Sequence, residues 1–138
     1  MKLYVLDISI VGFVEQAYPR TLQYFQRLDK DDLVATTIVT VGESGWLPVC
    51  RRAKTSKERV YAYERMHRSF EFYRNMSCLP FDDVAATIFD QLHAQKIHIG
   101  TNDLAIAAIT LSVTGILVTR NSVDFQRVPN LVIEDWTK

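Results

Sequence analysis

The chain opens with a short apolar run, Leu3 to Leu6, closed by Asp7, and this β-rich stretch over residues 2–7 predicts a first strand. A helix is expected over 10–18, and Pro19 either ends it or opens a second helix near 20–29. The polar DKDD at 29–32 is a turn, and the first part of the β-branched LVATTIVTV at 33–41 supplies a second strand. A helix beginning near Thr40 follows. Residues 56–75 carry the clearest helical pattern, with Ser56 as N-cap and Val60, Tyr63, Met66, Phe70 and Tyr73 recurring at helical spacing. SCLP at 77–80 reads as a short strand. Asp82 caps a helix over 83–95 with Val84, Ile88 and Leu92 on one face; Thr101 caps another with Leu104, Ala107, Ala108 and Leu111. GILVT at 115–119 is a buried strand without alternation, and LVIE at 131–134 is the last.

Strands that alternate with helices predict an α/β fold, with a mostly parallel central sheet and helices on both faces. The 138 residues show no repeat, linker or low-complexity segment, so a single domain over 1–138 is expected. Composition changes this picture little. A formal net charge of zero removes any global field that would advertise nucleic acid or membrane. The charge is unevenly placed, however, because residues 51–75 hold eight Lys/Arg against three Glu. Cys50 and Cys78 lie far apart and are expected as free thiols in a reducing cytosol. Asp7 interrupts any signal-like apolar segment at the N-terminus. The longest apolar run, 104–118, has 15 residues, short of the roughly 20 that span a bilayer. A cytoplasmic protein without a membrane partner is expected.

The chemistry is in the acids. In an open α/β sheet, ligands bind beyond the C-terminal ends of the strands. Asp7 ends the first strand, Glu43 lies in the first turns after the second, Asp103 is in the first turn of the helix entered through IGTND, and Asp124 follows GILVT. Four carboxylates gathered at one sheet edge repel one another unless cations neutralise them. Hard divalent ions, Mg²⁺ or Mn²⁺, suit such an oxygen set and hydrolyse phosphodiesters by activating water. Each acid also has a structural reading: Asp103 complements a helix dipole, Asp124 suits an Asx-turn, and Glu43 fits a solvated helix. Only their joint placement favours a site.

The same residues carry a family resemblance. YVLD at 4–7, IVTVGE at 38–43, LPFDDVAATIFDQL at 79–92, IGTNDLAIAA at 99–108 and LVTRNSVDFQRVPNLVIEDW at 117–136 resemble PIN-domain proteins. More narrowly they resemble the VapC-type toxin ribonucleases of type II toxin–antitoxin modules. The resemblance covers essentially the whole chain. It implies a PIN-like domain that binds Mg²⁺ or Mn²⁺ through Asp7, Glu43, Asp103 and Asp124 and cuts RNA. It also implies a cognate small antitoxin and a homodimer. Asn121 matches the family's asparagine after the fourth strand and would orient a ligand or support the loop. The chain departs from the pattern at Asp7-Ile8-Ser9, where the family usually has Asp-Thr-Asn or Asp-Thr-Asp. Gly42 and Gly45 also loosen the segment that carries Glu43. These departures motivate a second reading: a PIN-fold binding module with weakened catalysis, acting through partner or RNA contacts. A third is a nuclease outside any toxin module.

Arg51, Arg52, Lys54, Lys57 and Arg59 head the basic segment and are candidates for contact with RNA phosphates or with the antitoxin, which docks on this helical region in the resembled family. Their alternative is a solvated helix face. The apolar stripe Val60, Tyr63, Phe70 and Tyr73 is expected to be core or dimer surface, and Trp46 and Trp136 are expected to pack. His67, His93 and His98 show no ligand spacing.

Overall fold

A computed structural model describes all 138 residues. Five strands are present: β1 (Leu3–Leu6), β2 (Leu33–Thr37), β3 (Ser77–Leu79), β4 (Ile116–Val118) and β5 (Val132–Glu134). Between them run α1 (Ile8–Glu15), α2 (Pro19–Gln26), α3 (Ile38–Glu43), α4 (Leu47–Arg52), α5 (Ser56–Arg74), α6 (Asp83–Ala94), α7 (Thr101–Ser112) and the single turn α8 (Ser122–Phe125). All strands are parallel, in the order β3-β2-β1-β4-β5. Parallel neighbours cannot be joined by a hairpin, so each connection crosses a face of the sheet and covers it with helix. The α/β expectation holds, with a sheet that is parallel throughout.

The central strand shows how the two faces are filled. Val5 enters a cluster with Leu92, Leu104, Ala107, Leu117 and Phe125 from the α6–α8 side. Tyr4 and Leu6 point the other way, into a cluster with Ile10, Val11, Val118 and Trp136. Period-two alternation thus feeds two cores from one strand. Trp136 is fully buried. Its ring lies parallel to Tyr24 at 5.7 Å, with the edge of Phe25 at 5.1 Å, and Nε1 donates to Glu134 at 3.0 Å. Gly115 has a packing reason: a Cβ there would lie 3.0 Å from Val5 Cγ2 and 3.3 Å from the Leu3 carbonyl, so only glycine lets β4 approach β1.

Several local expectations are corrected. The long helix is capped by Thr55, not Ser56; Thr55 Oγ1 accepts from Glu58 N–H, and Glu58 Oε2 accepts from Lys54 N–H. This reciprocal pair satisfies two backbone donors at the helix start. Gly100, without a side-chain bond, precedes α7 in place of a Thr101 cap. The second strand gives way to helix at Ile38, because Thr37 Oγ1 accepts from Thr40 N–H. The six-residue α4 has no counterpart in the expected elements. The stripe on α5 is only partly core: Val60, Tyr63 and Phe70 are exposed, Tyr73 packs half-buried against the cluster around Trp136, and the one fully buried residue of the helix is Ala62. Val84 of the expected α6 face is exposed too, and burial there falls on Ala85 and Leu92. Cys50 and Cys78 are both free thiols. No helix is long and apolar enough to cross a membrane.

Candidate functional site

In the strand order β3-β2-β1-β4-β5, consecutive connections leave β1 in opposite directions, so a crevice opens between the C-terminal ends of β1 and β4. Asp7 and Thr119, the residues that follow those two strands, meet there. Asp7 N–H donates to the Val118 carbonyl at 3.1 Å, and Thr119 Oγ1 donates to Asp7 Oδ2 at 2.6 Å. Asp7 Oδ1 accepts from both the backbone N–H and the hydroxyl of Ser9, each at 2.6 Å. Asp7 is therefore simultaneously buried, the N-cap of α1, and held by three donors. That answers the cost of placing a carboxylate at the end of an apolar strand.

Ser9 and Thr119 have second duties. Arg120 N–H donates to Ser9 Oγ at 3.0 Å, and Asn121 N–H donates to Thr119 Oγ1 at 2.9 Å. Asn121 Nδ2 in turn donates to Asp124 Oδ2 at 3.1 Å. A continuous chain of hydrogen bonds thus runs from Asp7 through the loop after β4 to Asp124. Ser9, the departure from the family pattern, is a working member of it; Ile8 points outward.

The other two acids arrive from separate helices. Asp103 is in the first turn of α7, half-buried. Glu43 is the last residue of α3 and reaches solvent. Burial, followed by the negative charges of Asp7 and Asp124, pushes the Asp103 carboxyl above its ordinary value. Glu43 is also raised, by desolvation first and then by Asp103 and Asp7, while a hydrogen bond from the Asn102 side chain acts in the opposite direction. The four acids therefore share one electrostatic neighbourhood. No cation is among the causes of either shift.

This donor set is entirely oxygen and rich in negative charge, which fits a hard divalent cation. No three His, Cys, Asp or Glu side chains converge as a ready-made cage. The arrangement suits an ion that keeps part of its water shell, as Mg²⁺ usually does.

The five basic residues named from the sequence lie elsewhere. Arg51 and Arg52 are in the last turn of α4, Lys54 is in the link to α5, and Lys57 and Arg59 are in the first turns of α5; all are exposed. None forms an ion pair, and the two pairs in the molecule both involve Glu71. The cations nearer the acids' own elements are Arg65 and Arg68, which share a groove with Ile8 and Ser44, the neighbours of Asp7 and Glu43. Arg65 falls among the buried and half-buried positions of α5 with Ala62, Ser69 and Phe72, whereas Arg68 is exposed, and no sequence signal separates the two from their basic neighbours. Thr119 was missed as well; a threonine closing an apolar strand beside an acid-bearing loop was its trace.

No family model matches the sequence. Among curated proteins, the chain is 29% identical over 139 residues to Ribonuclease VapC1 of Haemophilus influenzae (strain R2866), covering 99% of each. Among solved structures it superposes with a TM-score of 0.74 and 23% identity on a chain of VapBC-1 from nontypeable Haemophilus influenzae, again with 99% of each covered. A chain of VapBC2 from Rickettsia felis, bound to a DNA fragment from its promoter, gives a TM-score of 0.72 at 23% identity, covering 97% of this chain and 98% of that one. At these identities the solved structures establish the shared fold.

Proposed function

We propose that this chain, a full-length relative of the VapC ribonucleases, is a divalent-cation-dependent endoribonuclease and the toxin half of a toxin–antitoxin pair, with residues 1–138 acting as one PIN-like domain. The observation that carries the reading is the hydrogen-bonded chain that joins Asp7 to Asp124 beyond β1 and β4, together with Asp103 and Glu43, whose carboxyls are raised first by burial and then by neighbouring acids. Repulsion of this kind is useful when a cation relieves it.

Asp7, Glu43, Asp103 and Asp124 would hold Mg²⁺ or Mn²⁺. When bound, the ion supplies charge stabilisation at the phosphodiester and its leaving oxygen, and acidifies a water for attack. The chain's own residues prepare for this. The donors on Asp7 fix its carboxylate in one orientation, so no reorganisation is needed on binding. Asn121 does the same for Asp124 from one side, leaving Oδ1 free of a protein donor. Glu43 and Asp103, whose carboxyls are raised by burial and by neighbouring acids, would hold the ion in their carboxylate form. Hydrolysis then adds water across one P–O bond of the RNA.

The partner reading is supported by the solved relatives, whose names pair a VapC with a VapB. The alternative of a binding module with a weakened site drew on Ile8-Ser9. The hydrogen bonds from Ser9 to Asp7 favour an intact site instead.

RNA cleavage with Mg²⁺ or Mn²⁺, with EDTA, and by Asp103→Ala tests the mechanism. Cleavage that is indifferent to all three overturns it. Expression of the chain should arrest growth, and a small protein encoded beside it should relieve the arrest; growth unaffected by a cleaving enzyme rejects the toxin role. Converting Ile8→Thr and Ser9→Asn should leave metal affinity and rate nearly unchanged, whereas a large gain would favour the weakened-site alternative.

A further inference from the structure

A groove of about 210 Å³ leads away from the acids between α1, the turn after α3, and α5. Its lining includes Ile8 and Ser44, each adjacent in sequence to a site acid, together with Arg65 and Arg68. Trp46 forms part of the wall, with the Arg65 guanidinium 5.1 Å from its ring centre. That contact holds Arg65 in place without neutralising it. Neither arginine forms an ion pair. Glu15 also lines the groove, as its single acid.

We propose that this groove is the subsite for the RNA strand flanking the scissile phosphate, with Arg65 and Arg68 binding a neighbouring phosphate. The inference rests on the ribonuclease reading above. Three features support it. The groove is continuous with the elements that carry Asp7 and Glu43. Its two arginines put positive charge in a groove that none of the four acids lines, so a strand leaving the acids, whose field repels RNA, meets cations there. Its volume falls below the roughly 300–1,000 Å³ of a small-molecule pocket, so it suits one segment of a polymer laid across it. The exposed cations of α4 and the start of α5 then extend a path rather than form the contact nearest the chemistry.

Gly12 provides a clean test. It lines the groove, and a Cβ there would meet nothing within 4 Å, so Gly12→Leu adds bulk at the groove with no clash at its Cβ. Binding is measured by fluorescence anisotropy with a labelled random-sequence single-stranded RNA in Mg²⁺, on an Asp103→Ala background that blocks cleavage. Arg65→Gln and Arg68→Gln should each weaken binding on the order of ten-fold, and each should reduce the slope of log K against log salt by about 0.7. Gly12→Leu should weaken binding with the slope unchanged, and Glu15→Gln should tighten it. Arg20→Gln, which removes a charge from α2, should change nothing.

Unaltered affinity and slope in both arginine variants, together with unaltered affinity in Gly12→Leu, overturn the proposal. So does loss of binding to the neighbouring antitoxin with RNA affinity intact, which would mark the groove as a peptide site. Metal-dependent cleavage by the unsubstituted protein, assayed in parallel, separates the two levels. Its absence defeats the ribonuclease reading; its presence with unchanged RNA binding by the variants defeats only the groove.

Discussion

Asp7 and Glu43 contribute to the same acidic neighbourhood but are held in opposite ways. Asp7 lies between the two central strands, buried and engaged by Ser9 and Thr119. Glu43 ends a helix of only six residues, reaches solvent, and carries a negative charge where the helix dipole disfavours one. The Asp7 half of the site is part of the fold's own stability; the Glu43 half works against it. A carboxylate can thus be a structural asset or a structural cost while serving the same chemistry, and substitution should separate the two.

The largest contrast is expected from alanine at each position. Asp7→Ala should reduce RNA cleavage by about 10³-fold and also destabilise the protein by about 2–4 kcal/mol, since it removes a helix cap and strands two hydroxyl donors. Glu43→Ala should lose about 10²-fold in cleavage, yet unfold at an equal or higher temperature. Chemical denaturation paired with a cleavage assay checks both, and a large stability loss at Glu43 would break the comparison.

Thr119→Val comes next. It keeps the shape but removes the donor to Asp7 and the acceptor for Asn121 N–H, so about 1–3 kcal/mol of stability should be lost. Cleavage should fall about ten-fold as Asp7 gains freedom, a milder loss than removing the acid. Equal cleavage by Thr119→Val and the unsubstituted protein would show that Asp7 needs no such tether.

The strained half predicts a pH effect. The folded-state carboxyls of Glu43 and Asp103 are raised, so the folded protein holds more protons than the unfolded chain just above the ordinary carboxylate value of about 4. Their contribution to stability is present below that value and is lost as pH rises through the raised ones. Melting temperatures in EDTA should decline over this window relative to a Glu43→Gln, Asp103→Asn double variant, and Mg²⁺ should abolish that relative decline. Parallel profiles in EDTA would remove the strain argument.

The smallest effect concerns the tether of the loose half. Ser44, the C-cap of α3, is hydrogen-bonded to the Tyr73 hydroxyl of α5, and burial pushes the Tyr73 phenol up. Tyr73→Phe should cost about 1 kcal/mol. It should lower cleavage by a few-fold through Glu43 while leaving the Asp7 network intact. A loss as large as that of Thr119→Val would mean the two halves are equally anchored.

Much of this was legible in the chain. The polar turns and apolar runs announced alternating strands and helices, and a charge at the end of YVLD announced that the first strand leads somewhere chemical. Asp7 and Asp124 stand out as candidates because an α/β sheet sends its strand ends to one edge, whereas Asp103 opens a helix that follows α6 with no strand between them. Val60, Tyr63 and Phe70 of the α5 stripe lie outside the core because a long helix that packs over only part of its surface leaves large apolar side chains exposed. Val60, Tyr63 and Phe70 have the right spacing, but small and long polar residues, Ala62, Arg65 and Ser69, take the inner positions.

By itself, then, the sequence determined the alternating α/β class and marked four acids as candidates, since periodicity and position relative to a strand or helix end are local properties. Tertiary structure alone decided which hydroxyl holds Asp7 and which arginines line the groove between α1 and α5. Thr119 lies 112 residues from Asp7, and only the pairing of β1 with β4 brings them to 2.6 Å. Arg65 and Arg68 are indistinguishable in sequence from their basic neighbours until the packing of α5 beside α1 selects them. Register and packing are non-local, set by the summed burial of two cores, and no short stretch of residues contains them.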